Sequence, residues 1–414
     1  MPSDPVLNDL RKVCHDRARP AVEADAVAGV AARYVASPDS TEETSEVLRL
    51  AAQHDLGVVP RGAGTKLGWG APPTAVDLIL DTTAITGVVE HAAGDLVAVV
   101  RAGTTVETLQ STLAEAGQQL ALDVPTLGAT IGGTVATNIS GPRRLLYGTL
   151  RDLLIGITFV RADGVVAKAG GKVVKNVAGY DFGKLLTGCY GTLGVITQMA
   201  FRLHPHPPVQ QFLTIEVDGA EEACRVVAAV LGSQVVPSAV DVHQPADGPT
   251  SVTVLLEGTE QGVARRAATT TTLFGDTAAS DQAPSWFGAL PFDDDRVGLK
   301  LTTEIAGLPR LLLRARQAAD RHGVSMEITG SAAGVLYAGL SADVSPDAAA
   351  AVVADLRAAA GSYSGSVVVL TAPATVRRGL DMWGPVPGLD LMRRLKDQLD
   401  PGHRLAPGRF VGGI

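Results

Sequence analysis

Three glycine-rich segments between Pro60 and Thr197 limit what this chain can fold into. The first is Pro60-Arg-Gly-Ala-Gly-Thr-Lys-Leu-Gly-Trp-Gly70. The second runs from Pro125 to Asn138 and continues through Ser140-Gly-Pro-Arg-Arg144. The third is Gly170-Gly-Lys-Val-Val-Lys-Asn-Val-Ala-Gly-Tyr-Asp181, running into Gly191-Thr-Leu-Gly-Val-Ile-Thr197. A diphosphate needs several backbone N–H groups aimed at one point with no Cβ in the way, and glycine-rich turns after strands supply that. Taken singly, each loop reads equally well as a tight turn.

Spacing sets the common alternatives aside. Gly62-Ala-Gly64-Thr-Lys-Leu-Gly68 is GxGxxxG rather than GxGxxG, and the Trp69-Gly-Ala-Pro-Pro73 that follows does not open a helix, which argues against a Rossmann NAD site. Gly179-Tyr-Asp-Phe-Gly183-Lys184 is one residue short of a P-loop and has no Ser or Thr after the lysine. Three separated loops fit a dinucleotide held between two subdomains.

The 414 residues exceed one ordinary core and suggest two domains or three. The net charge of −8 with no long basic run makes nucleic acid an improbable partner. Cys14, Cys189 and Cys224 are far apart and give no disulfide framework, zinc set or iron–sulfur set. No apolar run reaches the roughly 18–20 residues of a membrane helix, and the first residues lack the apolar centre of a signal peptide. The expected location is cytoplasmic, with any membrane attachment peripheral and through partners.

Local patterns predict a helix over 37–56 capped by Ser40, and a strand from Leu56 to Val59 that stops at Pro60. Strands are predicted at Val76–Leu80, Ile85–Glu90 and Leu96–Arg101, with a helix over Thr105–Ala116 and a hairpin joining Leu154–Arg161 to Val165–Ala169. After His204-Pro-His-Pro-Pro208 the glycine loops thin out. Strands at Phe212–Val217 and Ser251–Glu257 alternate there with helices at Ala220–Leu231 and Gln261–Phe274, and a similar strand–helix–strand set recurs across Gly298–Val369. A helix at Leu389–Leu399 precedes a Pro/Gly-punctuated tail.

The three segments resemble the FAD-binding fold of the vanillyl-alcohol-oxidase type, in its FAD-linked oxidase branch. Gly64-Thr-Lys-Leu-Gly-Trp-Gly70, Ser140-Gly-Pro-Arg-Arg144, Lys175-Asn-Val-Ala-Gly-Tyr-Asp181 and Trp383-Gly-Pro385 are similar to segments of the glycolate oxidase FAD-binding subunits. The resemblance implies an α+β fold. An N-terminal segment (1–27) would precede a two-subdomain PCMH-type FAD-binding domain (28–207, divided near 85). An α+β cap domain (208–370) and a C-terminal segment (371–414) returning to the flavin domain would follow.

It also implies roles. Arg61, Gly62, Ala63, Gly64, Thr65, Lys66 and Gly68, with Thr126, Gly128, Ala129, Thr130, Gly132 and Gly133, would cradle the pyrophosphate, largely through backbone N–H groups. Thr137, Asn138 and Ser140 would lie along the ribityl chain and ring. Gly191, Gly194 and Ile196 would sit by the adenosine half. Lys175, Asn176, Tyr180 and Asp181 would approach the isoalloxazine, with Lys175, Arg143 or Arg144 as the cation near its N1–C2 edge. For each basic residue alone, a solvated surface charge reads better, and a structural role for Asn176, Tyr180 and Asp181, pinning their loop, reads equally well. Arg377 or Arg378 is the candidate to hold a substrate carboxylate.

The departures from the family matter too. Arg61–Gly70 contains no histidine, so FAD is expected to be non-covalent. The HxGDGNxH metal motif of the relatives that oxidise 2-hydroxy acids is missing, and His243 and His322 stand alone. In Pro407-Gly-Arg-Phe410 the family's preceding asparagine is Ala406, which puts one hydrogen bond near the flavin in doubt. The expected function is the FAD-binding subunit of a glycolate or other 2-hydroxy-acid oxidase complex, beside a catalytic flavin subunit and an iron–sulfur subunit. A free-standing FAD oxidase or dehydrogenase and a non-catalytic FAD-binding assembly subunit are the alternatives.

Overall fold

The computed structural model describes residues 4–172, 180–275 and 277–414. The chain divides into two compact units. The first comprises residues 1–139, 150–206 and 385–414, and the second 140–149 and 207–384.

In the first unit the helix Thr41–Gln53 starts where Ser40 Oγ accepts from the Glu43 amide at 3.2 Å, with Glu42 and Glu43 in the first turn. Its Val47, Leu48 and Ala51 pack with Leu7 and Leu10 of the helix Pro5–Cys14 over a four-stranded sheet. That sheet contains β1 (Ala18–Pro20), β2 (Tyr34–Ala36), β3 (Val58–Arg61) and β4 (Leu78–Asp81) in the order β1-β2-β4-β3. The strand predicted to stop at Pro60 runs on to Arg61. At a sheet edge a proline's missing N–H breaks no ladder bond.

The other strands of this unit are β5 (Val88–Ala92), β6 (Val97–Arg101), β7 (Gln118–Gln119), β8 (Leu154–Val160), β9 (Val166–Gly170), β10 (Val195–Arg202) and β11 (His204–Pro205). β7 pairs with β11, and the rest form an antiparallel sheet ordered β5-β6-β10-β8-β9. Its core is built on Phe159, Phe201, Met199, Leu109 and Leu113. The predicted hairpin is present as β8–β9, closed by Gly164 at φ 80°. A Cβ there would meet Ser45 O at 2.7 Å, so the turn requires glycine.

The chain end closes this unit. Lys396, on the helix Leu389–Leu399, is fully buried. Its Nζ donates to Asp400 Oδ2 (2.7 Å), Thr192 O (2.7 Å) and Leu405 O (2.9 Å). The Val58 amide donates to Arg404 O and the Ala406 amide to Val58 O, each at 2.7 Å, so the tail is stitched alongside β3.

The second unit is one eight-stranded sheet, ordered β15-β12-β14-β13-β17-β18-β16-β19. Its strands are β12 (Val209–Val217), β13 (Ala239–Gln244), β14 (Thr250–Gly258), β15 (Ala278–Ser280), β16 (Gly298–Thr302), β17 (Met326–Ser331), β18 (Val335–Leu340) and β19 (Ser366–Thr371). The recurrence in the sequence is structural: strand–helix–strand–strand–helix–strand occurs twice, over β12–β15 and β16–β19. The halves join edge to edge where β13 pairs antiparallel with β17. Alternation assigns Val240, Val242, Val252, Val254, Leu336 and Ala338 to one buried apolar face. The other face carries Asp241, Thr253, Glu257, Thr329, Ser331 and Tyr337, also buried.

Removing Lys396 leaves Asp400 buried without its cation, at a cost of about 3–5 kcal/mol. Lys396→Met is therefore expected to lower the melting temperature of the full chain by many degrees in a calorimetric scan. An unchanged melting temperature would contradict this role.

Candidate functional site

The first unit holds a cleft that opens to solvent. Its lining draws together Arg61, Gly62, Ala63, Gly64, Thr65 and Lys66 from the loop after β3, and Thr130, Gly132, Gly133 and Thr137 from the helix Ile131–Thr137 and its cap. Gly191, Gly194 and Ile196 complete the set from the segment entering β10. These residues come from all three glycine-rich segments, and each is a sequence-predicted cofactor residue.

The loop after β3 is built for an anion. Among the described residues, the backbone N–H groups of Gly62, Ala63, Gly64, Thr65 and Lys66 make no hydrogen bond. Successive amides without partners form the concavity that a phosphate oxygen fills. Gly64 sits at φ 80°, and a Cβ there would meet no protein atom within 4 Å, so the space in front of it is open.

The second segment contributes differently. The Ile131 amide donates to Thr104 O, Gly132 to Ala102 O (each 2.8 Å) and Gly133 to Thr130 Oγ1 (3.3 Å). These N–H groups already have partners, so this wall contributes shape more than donors. A Cβ at Gly132 would lie 2.8 Å from Ala102 Cβ, which explains the glycine by packing.

Other predicted residues stand outside the lining. Gly68 lies beyond it along the first loop. Thr126 accepts from Lys66 Nζ at 2.9 Å, and the Gly128 amide donates to Glu107 at 2.9 Å. Ala129 O accepts from the Val106 amide, and Asn138 ends its helix in the left-handed region at φ 51°. Ser140 belongs to the second unit. Lys175 and Asn176 lie outside the described residues. Tyr180 is exposed, edge-on to Phe182, and Asp181 caps the helix Phe182–Leu186. Arg377 donates twice to Ala372 O, at 3.0 and 2.6 Å.

Thr82, Ala136, Tyr190, Val195 and Arg409 line the cleft without having been singled out for it. For Arg409 a signal existed in the Pro407-Gly-Arg-Phe410 motif. Its Nη2 donates to Leu67 O and Trp69 O, each at 2.6 Å, fixing the far end of the first loop. Tyr190 takes φ 54° just before Gly191, and its ring lies 5.8 Å from that of Phe410. Ala406, where the family has asparagine, adopts φ 44°, a region asparagine tolerates better than alanine.

The cations differ in availability. The Arg61 guanidinium is held by Asp25 (2.9 Å) and Asp81 (2.7 Å), so its charge is already matched. Arg19 and Arg61 together keep the Asp25 carboxyl well below the usual range. Lys66, by contrast, is nearly buried, and its Nζ meets only the hydroxyls of Thr65 and Thr126. Burial pushes its ammonium down to about 8. Unlike Arg61, Lys66 has no carboxylate at ion-pair distance among the described residues and keeps its charge for a diphosphate.

His243 pairs with Glu327 (3.0 Å) and stacks on Trp286, and His322 pairs with Asp355 (3.0 Å). No group of three or more His, Cys, Asp or Glu close enough to hold a metal occurs among the described residues.

The pKa of Lys66 carries a sign. A bound diphosphate favours the ammonium, so the complex keeps this proton to a higher pH than the free protein does. FAD affinity is therefore expected to hold below about pH 8 and to fall above it, by up to about tenfold per pH unit. Lys66→Gln should bind more weakly at pH 7 and lose that alkaline limb, as read from flavin fluorescence quenching. The same pH slope in the variant would exclude Lys66 as the counter-charge.

Comparison with known proteins agrees with this geometry. Residues 32–170 match the FAD binding domain family. The chain is 37% identical over 196 residues to D-lactate dehydrogenase of Archaeoglobus fulgidus, covering 47% of this chain and 44% of that protein. It is 34% identical over 192 residues to glycolate oxidase subunit GlcE of Escherichia coli, covering 46% and 54%. The match spans about half the length of these curated relatives. Over 98% of this chain and 96% of the other, the fold superposes on p-cresol methylhydroxylase with a TM-score of 0.75 at 17% identity. No described helix is long and apolar enough to cross a membrane. Residues 32–170 thus form an FAD-binding domain, and FAD is its cofactor.

Proposed function

We propose that this chain is the FAD-binding subunit of a complex that oxidises a 2-hydroxy acid, of the glycolate class, to the 2-oxo acid. The observation that carries the reading is the row of unpartnered amides at Gly62–Lys66 with Lys66 behind it, a cradle for the FAD diphosphate. When bound, FAD supplies the two-electron acceptor for oxidation of a C–H bond. The chain's own residues hold the dinucleotide: the amides and Lys66 at the diphosphate, and Gly191, Gly194 and Ile196 along the opposite wall. Among the described residues the lining contains no histidine or cysteine, which supports non-covalent attachment.

The substrate class is supported by the names of the relatives, one a D-lactate dehydrogenase and one a glycolate oxidase subunit. The subunit role is supported by the likeness to GlcE and by a sequence without the paired-histidine motif of the catalytic members. Under it, a catalytic flavin subunit and an iron–sulfur subunit complete the complex. A second reading, oxidation by this chain alone, is favoured by the likeness to a D-lactate dehydrogenase.

Anaerobic addition of glycolate or D-lactate to the purified, FAD-loaded chain separates the two. The subunit reading predicts that the flavin absorbance is retained with the chain alone and bleached when co-purifying partners are present. Bleaching by the chain alone would establish the second reading. Retained absorbance in both samples would contradict both.

A further inference from the structure

The first loop of the cofactor cleft carries one arginine, Arg61, and a site for a polyanion gains most from a cation left free to meet it. Arg61 is not free. Its Nη1 donates to Asp25 Oδ1 at 2.9 Å, while its Nε and Nη2 donate to Asp81 Oδ2 at 3.2 and 2.7 Å. Both carboxylates are buried. On charge alone, two carboxylates beside a diphosphate cradle oppose binding.

Each carboxylate is itself fixed. Asp25 accepts from Arg19 Nη1 and Nη2 (2.7 and 3.0 Å) and from the Val22 amide (2.9 Å). Asp81, at the end of β4, accepts from the Thr83 amide (2.9 Å) and from Thr83 Oγ1 (2.5 Å). The Arg61 backbone is held as well, since its carbonyl accepts from the Thr82 amide at 2.8 Å and from Thr82 Oγ1 at 3.1 Å. A planar guanidinium gripped on two fixed carboxylates leaves its own backbone little freedom. The next residue has no slack either: a Cβ on Gly62 would lie 2.2 Å from Thr130 Oγ1. There the run of amides from Gly62 to Lys66 begins, which make no hydrogen bond among the described residues.

We propose that Asp25 is a positioning residue for FAD: with Asp81 it grips the Arg61 guanidinium and so fixes the angle at which the first loop leaves β3 and presents its amides to the diphosphate. This role rests on the reading of Gly62–Lys66 as the diphosphate cradle. Asp81 is the in-register β4 partner of Arg61 and holds the guanidinium from one side. Asp25, from the short helical turn Glu23–Asp25, supplies the other side. The stretch of chain before β2 thereby takes part in cofactor binding, although none of its described residues lines the cleft. A loop set in place beforehand lowers the ordering cost that binding carries.

The full chain, stripped of flavin and titrated with FAD at pH 7 while fluorescence quenching is followed, tests this role. Two variants separate position from charge. Asp25→Asn removes a negative charge near the cleft, and Arg61→Lys keeps its charge but cannot span both carboxylates. Charge alone predicts tighter binding in the first and unchanged binding in the second. The clamp predicts binding about tenfold weaker in each, as for a lost charge-assisted hydrogen bond. Adding Asp25→Asn to Arg61→Lys should cost no more than about twofold further, because both changes act through one contact. A purely structural role would lower the melting temperature and leave the affinity of the folded chain as it was. Unchanged or tighter binding in Asp25→Asn, or losses that multiply in the double variant, would overturn the proposal. Should Asp25→Asn not fold, unchanged affinity in Arg61→Lys would overturn it. Absence of quenching with the unaltered chain would instead contradict the cradle itself.

Discussion

The buried ammonium of Lys396 is the contact on which the cofactor cleft depends. It draws three oxygens to one point: the Asp400 carboxylate, the Thr192 carbonyl and the Leu405 carbonyl. Thr192 follows Gly191 of the cleft wall in sequence, and Leu405 lies in the tail that runs beside β3. Arg409 extends the same device by holding Leu67 and Trp69. Residues more than three hundred positions from the first loop therefore set its shape. A loop whose amides lack internal partners cannot hold itself open, and the tail does this for it.

The division of labour within the cleft follows from which groups are already satisfied. The amides of Ile131, Gly132 and Gly133 are tied into the protein, so that wall is a rigid surface. Those of Gly62–Lys66 are not, so the loop after β3 receives the anion. Arg61 looks from its position like the phosphate ligand but is neutralised by Asp25 and Asp81, while Lys66 meets only hydroxyls.

Much of the fold was legible in the sequence. Ser40 as a cap, the β8–β9 hairpin and the helices at Gly219–Leu231 and Leu389–Leu399 follow from local chemistry, and the structure places them within a few residues of expectation. β13 escaped notice because Ala239–Gln244 alternates valines with Asp241 and His243, and its polar side faces a buried surface rather than water. In the site, glycine marked the loops well but could not separate ligand contact from packing. Gly64 faces open space whereas Gly132 is forced by Ala102. Tyr190 and Thr82 left no signal, since each acquires its role from neighbours brought in by tertiary pairing.

The central claim is that the amides of Gly62–Lys66 are the diphosphate donors, and amide hydrogen exchange of the apo and FAD-loaded chain tests it most directly. Groups without partners exchange quickly, and those that gain a phosphate oxygen are protected. The account predicts fast exchange across Gly62–Lys66 in the apo chain and strong protection on adding FAD, with little change at Ile131–Gly133. Protection confined to Ile131–Gly133, with Gly62–Lys66 exchanging as before, would contradict it.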